Sequence, residues 1–278
     1  MGQSPSMEAT ATQGILAKLD ELHDVLARTG GAVVAFSGGT DSSLVAAVAA
    51  RALGPRALGV TAVSPSLPPG ELAAARTVAQ EIGIRHRTVR THEVEEERYL
   101  VNGNDRCYHC KTELYEVLTH VAREEGLPVV ASGANLDDLG DFRPGLRAAE
   151  EHAVRHPLVE AHFTKVDVRE AARALGLSTW DKPASACLSS RIAFGVRITV
   201  EDLSRVGRAE RALKDLGFRQ VRVRVHGEVV RVEVDPDDIA RLAAPEIRDR
   251  ALEALRGLGW RYVTLDLEGF RSGSMNPP

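Results

Sequence analysis

Apolar and polar positions in the first two thirds of the chain follow two alternating patterns. Four short segments are predicted to be strands: residues 31–36, 57–63, 85–90 and 128–132, of which 31–36 and 128–132 are predicted to be buried. Segments with helical spacing of apolar residues precede or separate these strands, at residues 15–26, 42–53, 70–82 and 108–125. A further helix starts near Asp167 and ends near Gly176. This alternation predicts an α/β fold, a doubly wound parallel sheet with helices on both faces.

The last third of the chain has a different pattern. A predicted helix runs from Thr199 to about Gly217, and the stretches QVRVRVH and VVRVEVD then alternate strictly between apolar and polar residues. They are predicted to form a β-hairpin. Helical segments near 236–257 and a strand in RYVTLDL complete a smaller α+β unit. We therefore predict two domains, residues 1–195 and 196–278, with the boundary in the glycine-containing stretch before Thr199.

The composition fits a globular protein with a large core. Of 278 residues, 44% are hydrophobic and 27% are charged, and the net charge of −4 argues against a generally basic nucleic-acid-binding protein. No apolar run approaches the about 18 residues of a membrane span, and the N-terminal sequence lacks the basic and hydrophobic regions of a signal peptide. We expect a cytoplasmic protein with no membrane or nucleic-acid partner.

The loop SGGTDSS lies between the first predicted strand and the next helix. Its two glycines allow the backbone N–H groups to approach an anion, and the helix points its positive N-terminal end at the same place. Asp41 is suited to capping the helix or holding a cation. The loop lacks the lysine of GxxxxGK[ST] and does not match GxGxxG. It therefore favours phosphate binding over a merely capped turn, through Ser37, Gly38, Gly39, Thr40, Asp41, Ser42 and Ser43.

This SGGxDSS loop resembles the PP-loop of the ATP pyrophosphatase superfamily. The resemblance implies a Rossmann-like (HUP) fold that binds ATP with Mg²⁺ and adenylylates a substrate oxygen. Lys111, Lys182 and Gly133 are additional candidates for contact with ATP. Asp137, Asp138 and Asp141 crowd the segment GANLDDLGDFRPG, which starts at Gly133. These three are candidates for Mg²⁺ or substrate, although a solvated acidic loop, with Arg143 in an internal ion pair, is an alternative.

The chain has three cysteines, a close pair and a distant third. Cys107 and Cys110 form a C-x-x-C motif, the usual spacing for two metal ligands, but a structural zinc site needs four ligands and only Cys187 remains as a thiolate. Three soft thiolates suit an iron–sulfur cluster with one iron open to an outside ligand. The alternative is three unrelated cysteines.

Three motifs together resemble the LarE family of ATP-dependent sulfur transferases: WDKPASACLSSRIAFGVRIT, DRCYHCKTELY and GANLDDLGDFRPG. The resemblance covers most of residues 15–270. It implies synthesis of the nickel-pincer nucleotide cofactor of lactate racemase: ATP activates a carboxylate of pyridinium-3,5-dicarboxylate mononucleotide, and sulfur then displaces AMP to give a thiocarboxylate. The first domain would bind ATP, and the second would bind substrate or take part in a homo-oligomer, with a hexamer as one possible form.

The family has two sulfur sources. In one form a single cysteine gives up its sulfur and becomes dehydroalanine, and Cys187 is at that position. In the other, three cysteines hold a [4Fe-4S] cluster that carries an additional sulfide for transfer. Because this chain also has Cys107 and Cys110, we favour the cluster form.

Several charged residues are further candidates in the second half. Arg191, four residues after Cys187, is placed to neutralise a substrate carboxylate or phosphate, unless it is an ordinary surface arginine. The resemblance assigns Arg222 and Arg224 to the substrate phosphate, with Glu210 as a weaker candidate. The alternative is a solvated hairpin face on which these arginines pair across the strands with Arg231, Glu233 and Asp235.

Other functions compete with this hypothesis. An amide synthetase resembling NAD synthetase would not use three thiolates. A tRNA-thiolating enzyme with a PP-loop would explain the cysteines but requires a basic surface with aromatic residues, whereas this chain is acidic with 4% aromatic residues. The non-enzymatic alternative is a sensor that binds ATP or a cluster without turnover.

Overall fold

A computed structural model describes residues 5–140 and 144–271, with side chains from residue 13 onward. The chain divides into two compact units. The first comprises Met1–Val63, Gly70–Thr91 and Cys107–Ala184, and the second comprises Ser64–Pro69, His92–Arg106 and Ser185–Pro278. The division predicted at residue 195 differs from this grouping, because the structure assigns residues 64–69, 92–106 and 185–195 to the second unit.

The first unit is built on a four-stranded parallel sheet. Its strands are β1 (Ala32–Ala35), β2 (Ala57–Val63), β3 (Arg85–Arg90) and β4 (Val129–Ala131), in the spatial order β3-β2-β1-β4. Ala32 of β1 is in register with Ala57 of β2 and Val129 of β4. The strand order reverses beside β1, and ligands of open α/β sheets bind at the carboxyl ends of strands at such a point.

Helices in the described residues range from single turns to more than six turns. In chain order they are α1 (Pro5–Ala27), α2 (Thr40–Leu53), α3 (Glu71–Ile82), α4 (Glu97–Leu100), α5 (Arg106–Glu124), α6 (Pro144–Glu151), α7 (Pro157–Glu160), α8 (Lys165–Ala174), α9 (Val200–Asp215), α10 (Ile239–Ala243) and α11 (Pro245–Gly257). None of these helices is long and apolar enough to cross a membrane.

Both faces of the parallel sheet are covered by helices. On one face, Val34 belongs to a core that includes Leu22 of α1 and Leu44 of α2. On the other face, Val33 belongs to a core that includes Leu118 of α5 and Ala148 of α6. Successive residues of a strand point to opposite faces, so the continuous apolar run of β1 serves both cores. This arrangement confirms the predicted doubly wound α/β fold.

The second unit contains a three-stranded sheet in the order β5-β6-β7, formed by β5 (Val221–His226), β6 (Val229–Val234) and β7 (Tyr262–Leu265). Strands β5 and β6 are antiparallel, as predicted for a hairpin, whereas β7 runs parallel to β6. In β5, the apolar residue Val223 and the charged residues Arg222 and Arg224 are all buried. Both faces of this strand are therefore covered, and its arginine face is not a solvated surface.

Candidate functional site

The loop after β1 has the backbone shape of an anion cradle. Gly38 has φ +68°, and a Cβ at this position would lie 2.8 Å from the Cα of Ala75. Gly39 is the N-cap residue of α2 and has an extended conformation. A side chain at position 38 is therefore excluded both by the backbone angle and by the close neighbour. Four residues, 36–39, bring the chain from the end of β1 to the positive end of α2.

The hydroxyl groups of the loop differ in exposure and in hydrogen-bond partners. Ser37 is exposed, and its Oγ lies 3.1 Å from Ser42 Oγ and accepts a hydrogen bond from Gly39 N. Thr40 is buried and donates to the carbonyl of Thr179, at 2.7 Å. Ser43 Oγ is buried and has no hydrogen-bond partner among the residues that the structure describes. Ser37 is thus the loop hydroxyl that a phosphate can reach, while Ser42 and Thr40 shape the loop.

Asp41 lies in the first turn of α2 and is held by two side chains that the sequence motifs did not single out. Asn135 donates its Nδ2 to one carboxylate oxygen of Asp41 at 3.1 Å, and Lys165 Nζ donates to the other. The Asp41 side chain is only partly exposed. A carboxylate at a phosphate loop is chemically suited to a magnesium ion, which would have to share this carboxylate with the ammonium of Lys165 or displace it.

The segment after β4 is organised around Asn135. Asp138 accepts a hydrogen bond from the backbone N–H of Asn135, and Asp137 accepts one from the backbone N–H of Lys165 at the start of α8. These two carboxylates therefore have structural contacts in addition to their candidate role with Mg²⁺. Asp141 and Arg143, also named from the sequence, lie outside the described residues.

Gly133 brings this segment against the phosphate loop. A Cβ at Gly133 would lie 2.8 Å from the backbone nitrogen of Ser42. Only glycine allows such a close approach between the chain after β4 and the start of α2. The structure thus places Gly133 at the loop, as the candidate role requires.

The two candidate lysines have different positions. Lys182 donates from Nζ to the carbonyl of Gly38 at 3.1 Å and forms an ion pair with Glu71 at 2.9 Å, so it lies at the phosphate loop. Lys111 is in α5, where its Nζ lies 5.8 Å from the centre of the Tyr115 ring and its stem packs against Gly145.

Taken together, the groups around the loop fit a nucleoside triphosphate with a divalent cation. Two glycines, Gly38 and Gly133, let backbone segments pack at the loop more closely than a side chain would permit, and the buried hydroxyl of Ser43 has no partner among the described residues. Lys182 and Lys165 place positive charge beside the loop. Adding a Cβ at either glycine would push apart the backbone segments that shape the loop.

Cys107 and Cys110 lie in the first turn of α5, three residues apart, and therefore on one side of the helix. Cys107 is exposed, Cys110 and Cys187 are half-buried, and none of the three is in a disulfide. Among the described residues, the structure does not gather three or more His, Cys, Asp or Glu side chains into a metal site. The pair is placed to supply two ligands.

Cys187, in the second unit, is the N-cap residue of a single 3-10 turn, Leu188–Arg191. Arg191 donates from Nη1 to the carbonyls of Ala186 and Cys187, at 2.8 and 2.9 Å. Its Nε and Nη2 atoms donate to the two carboxylate oxygens of Glu210, at 2.8 and 3.1 Å. The Arg191 side chain is 1% exposed, so it is not an ordinary surface arginine. It fixes the backbone on both sides of the Cys187 peptide.

The other two arginines belong to the same cluster. Arg224 donates to Glu233 through Nε and Nη2, and its Nη1 donates to the carbonyl of Ser190 at 3.1 Å. For Arg222, burial first, and then the positive charge of Arg191, lower the pKa to about 10. The cluster of Arg191, Arg222 and Arg224 with Glu210 and Glu233 carries three positive and two negative charges, so an anion beside Arg222 would stabilise its charged form.

Sequence comparison with known proteins places the chain among relatives of similar length. Residues 16–102, which include the phosphate loop, match the NAD synthase family. An uncharacterized protein of Synechocystis sp. is 46% identical over 93% of this chain and 97% of its own length. An uncharacterized protein of Methanocaldococcus jannaschii is 27% identical over 86% of this chain and 90% of its own length.

A third relative has a stated activity. The pyridinium-3,5-bisthiocarboxylic acid mononucleotide synthase of Lactiplantibacillus plantarum is 38% identical to this chain over 269 residues, which is 96% of the chain and 94% of that protein. The match extends through the phosphate loop, the cysteine pair, Cys187 and the arginine-bearing strand β5. The chain therefore belongs to the LarE family, the family of this synthase.

Proposed function

We propose that this protein is an ATP-dependent sulfur transferase acting on pyridinium-3,5-dicarboxylate mononucleotide in the synthesis of the nickel-pincer nucleotide cofactor, and so in the maturation of lactate racemase. A substrate carboxylate oxygen attacks the α-phosphorus of ATP and pyrophosphate leaves, which gives an acyl-adenylate. A sulfur nucleophile then attacks the activated carbonyl and AMP leaves, which gives the thiocarboxylate. The loop from Ser37 to Ser43, with Gly133 and Lys182, would hold ATP, and Asp41 would hold Mg²⁺.

One observation supports the substrate assignment most directly. The arginine cluster is anchored to the Cys187 segment itself, because Arg191 bonds to the carbonyls of Ala186 and Cys187 and Arg224 bonds to that of Ser190. An anion that joins Arg222 would therefore be held beside the cysteine proposed to deliver sulfur. The substrate has a phosphate and two carboxylates, which are the groups that guanidinium clusters bind.

We propose that Cys107, Cys110 and Cys187 together hold a [4Fe-4S] cluster, because three thiolates are the donor set that a cluster with one open iron requires. When bound, that group would supply an additional sulfide for transfer. The alternative is that the chain sacrifices Cys187: its Cβ–Sγ bond breaks, the Cα proton is lost and dehydroalanine remains. In both cases Arg191 holds the Cys187 backbone, and Arg222 holds the substrate anion.

The contribution of Arg222 to substrate affinity should be easier to separate from protein stability than that of Arg224. We expect Arg222→Ala to weaken binding of the pyridinium mononucleotide by roughly 1–3 kcal/mol, the scale of a charge-assisted contact, while ATP affinity barely changes. Arg224→Ala should weaken substrate binding by a similar amount. It also leaves the fully buried Glu233 with one fewer cationic partner, so the thermal stability of this variant should fall as well. Calorimetric titration with each ligand measures both affinities.

Arg211 provides the matched control, because it lies on α9 in an exposed ion pair with Asp215. Arg211→Ala should leave both affinities unchanged. Equal substrate affinity in Arg222→Ala and the wild type would show that Arg222 is not part of the substrate-binding site.

The function is tested by pyrophosphate release that depends on the pyridinium substrate, together with mass spectrometry of the product. A sensor would release no pyrophosphate in response to this substrate. An amide synthetase would need ammonia to complete its turnover and would form no thiocarboxylate, and a tRNA-thiolating enzyme would respond to tRNA instead. Formation of the thiocarboxylate with release of AMP is the result that the proposal requires.

Two further properties belong to this proposal. We expect the chain to form a homo-oligomer, a hexamer being the form that we would test first by light scattering. We expect it to act in the cytoplasm, since the proposed reaction consumes ATP and needs its cysteines as thiols, which a reducing compartment maintains.

A further inference from the structure

A buried polar network ties the Cys187 segment to a second stretch of the same unit. Asn102 is fully buried and has φ +59°, a left-handed conformation that asparagine adopts more readily than other non-glycine residues. Its Nδ2 donates to the carbonyls of Ala193 and Val196, both at 2.8 Å. In return, the backbone N–H of Gly195 donates to the carbonyl of Asn102 at 3.1 Å. One asparagine thus fixes the chain that follows the Cys187 turn.

Arg106 extends the network to the turn itself. Its Nη1 donates to the side-chain oxygen of Asn102 and, at 3.0 Å, to the carbonyl of Ser189, which lies two residues after Cys187. The guanidinium carbon lies 5.5 Å from the centre of the Phe194 ring. Arg106 is 5% exposed, so a charged group has been withdrawn from water to make these contacts.

Tyr99 binds the same turn through a side chain. Its hydroxyl lies 2.5 Å from Ser189 Oγ, and both residues are buried. The backbone N–H of Leu188 is bound separately, by the carbonyl of Ser66 at 2.8 Å. The residues adjoining Cys187 are therefore held on several sides by buried groups, none of which is a candidate to touch ATP.

Such a network is an unfavourable way to gain stability alone. Burial of a guanidinium opposes folding because the charge loses its hydration, and a buried charged group is therefore weak evidence for added stability. A sulfur nucleophile, in contrast, requires accurate placement, since an error of about 1 Å in a reacting group can reduce a rate by about 100-fold. The first part of the proposed reaction, adenylylation, makes no such demand on Cys187.

We propose that Asn102, Arg106 and Tyr99 are positioning residues that hold the Cys187 turn for sulfur delivery and have no part in adenylylation. This inference rests on the proposed function, in which Cys187 is either a ligand of the cluster that carries the sulfur or the source of the sulfur itself. Arg106 directly precedes Cys107 in the sequence, so its buried side chain also fixes the point at which the chain enters the cysteine pair.

The test separates the two chemical steps in Arg106→Gln, Arg106→Lys and Tyr99→Phe. We expect substrate-dependent ATP–pyrophosphate exchange to remain within about twofold of the wild type, while single-turnover formation of thiocarboxylate falls by about 10- to 100-fold in Arg106→Gln. Arg106→Lys should recover part of this loss, because an ammonium can still donate to Ser189. Tyr99→Phe, which removes one hydroxyl at nearly constant volume, should fall by less.

A second readout does not depend on the substrate. The rate at which iodoacetamide alkylates Cys187 is followed by mass spectrometry of its peptide in protein that is free of iron and substrate. This rate should change by about tenfold or more in Arg106→Gln if the turn loses its fixed geometry. The matched control is Arg197→Gln. Arg197 joins the same two stretches through Glu97 of α4, but both side chains of that ion pair are exposed. In Arg197→Gln, the alkylation rate of Cys187 and the rate of sulfur transfer should equal those of the wild type.

The possible outcomes are distinct. Unchanged alkylation and unchanged sulfur transfer in Arg106→Gln would overturn the positioning role, as would an equal loss of exchange and transfer in the folded Arg106→Lys and Tyr99→Phe variants. If the wild type forms no thiocarboxylate at all, the proposed function fails. The alkylation rates would then still decide whether the network fixes the Cys187 turn.

Discussion

We expect Asp41→Ala to abolish substrate-dependent ATP–pyrophosphate exchange while the protein remains folded. Asp41 joins three elements at the phosphate loop, since its carboxylate is bound by Asn135 and Lys165 and lies in the first turn of α2. Loss of this group removes the proposed ligand of Mg²⁺. The exchange rate should fall by about 100- to 1,000-fold, the usual effect of removing one group that stabilises charge in a transition state. Circular dichroism and the exchange assay measure the two properties on one sample.

Ser37→Ala should have the same direction of effect, because Ser37 is the exposed hydroxyl of the loop. The matched control is Asp24→Ala, which removes an exposed carboxylate from α1 and should leave the exchange unchanged. Wild-type exchange in Asp41→Ala would exclude the loop from the mechanism. A loss of helical signal in parallel with the loss of exchange would instead assign Asp41 a structural role.

The sequence was sufficient to predict the elements that local patterns specify. The alternation of strand and helix segments predicted the four parallel strands, although β3 has the polar sequence RHRTVR and is mostly exposed. Strand β1 ends at Ala35, one residue before the phosphate loop begins at Ser37. Helix starts were predicted from capping residues: Thr199 caps α9 through the N–H of Asp202. At α8 the predicted start, Asp167, lies three residues too late, because the cap is Thr164 and Asp167 is its partner in a capping box. A few neighbouring residues determine each helix start, but spacing alone identified the correct cap only at α9.

Contacts between distant parts of the chain could not be predicted in this way. Lys165 reaches Asp41 across 124 positions, and Asn102 reaches the carbonyl of Ala193 across 91. Nothing in the sequence near Lys165 distinguishes it from the other lysines. The same limit applies to the assignment of residues 92–106 to the second unit, because that assignment depends on long-range bonds and not on composition.

The burial of the arginines was also hidden from the sequence. Strict alternation in β5 predicted one polar face, and polar faces usually contact solvent. In the structure this face is covered, and its charges are compensated by Glu210 and Glu233, which come from α9 and β6. The buried cluster retains one more positive than negative charge. This excess charge favours an anionic ligand, whereas the charges of a solvated arginine face are screened by water.

The largest effect that we expect concerns the cysteines. If the three thiolates hold a cluster, anaerobically reconstituted protein should contain about four irons per chain, the stoichiometry of a cubane. Cys107→Ala, Cys110→Ala and Cys187→Ala should each lose the cluster and multiple-turnover sulfur transfer together, because three ligands leave no spare thiolate. Iron and sulfide analysis measures the first property, and repeated formation of thiocarboxylate with added sulfide measures the second. His109→Ala, a change between the two paired cysteines, is the matched control and should retain the iron.

Sacrifice of Cys187 makes the opposite demand on the pair. Cys107→Ala would then still complete one turnover per chain, and only Cys187→Ala would be inactive. Mass spectrometry of the used enzyme would find the Cys187 peptide lighter by one H₂S, roughly 34 mass units, since the thiol sulfur leaves with the product. The decisive sample is wild-type protein that has been treated with iron and sulfide under reconstitution conditions. If this protein binds no iron and its Cys187 peptide still shows the loss, the cluster is excluded. Cys187 is then a reagent that its own reaction consumes.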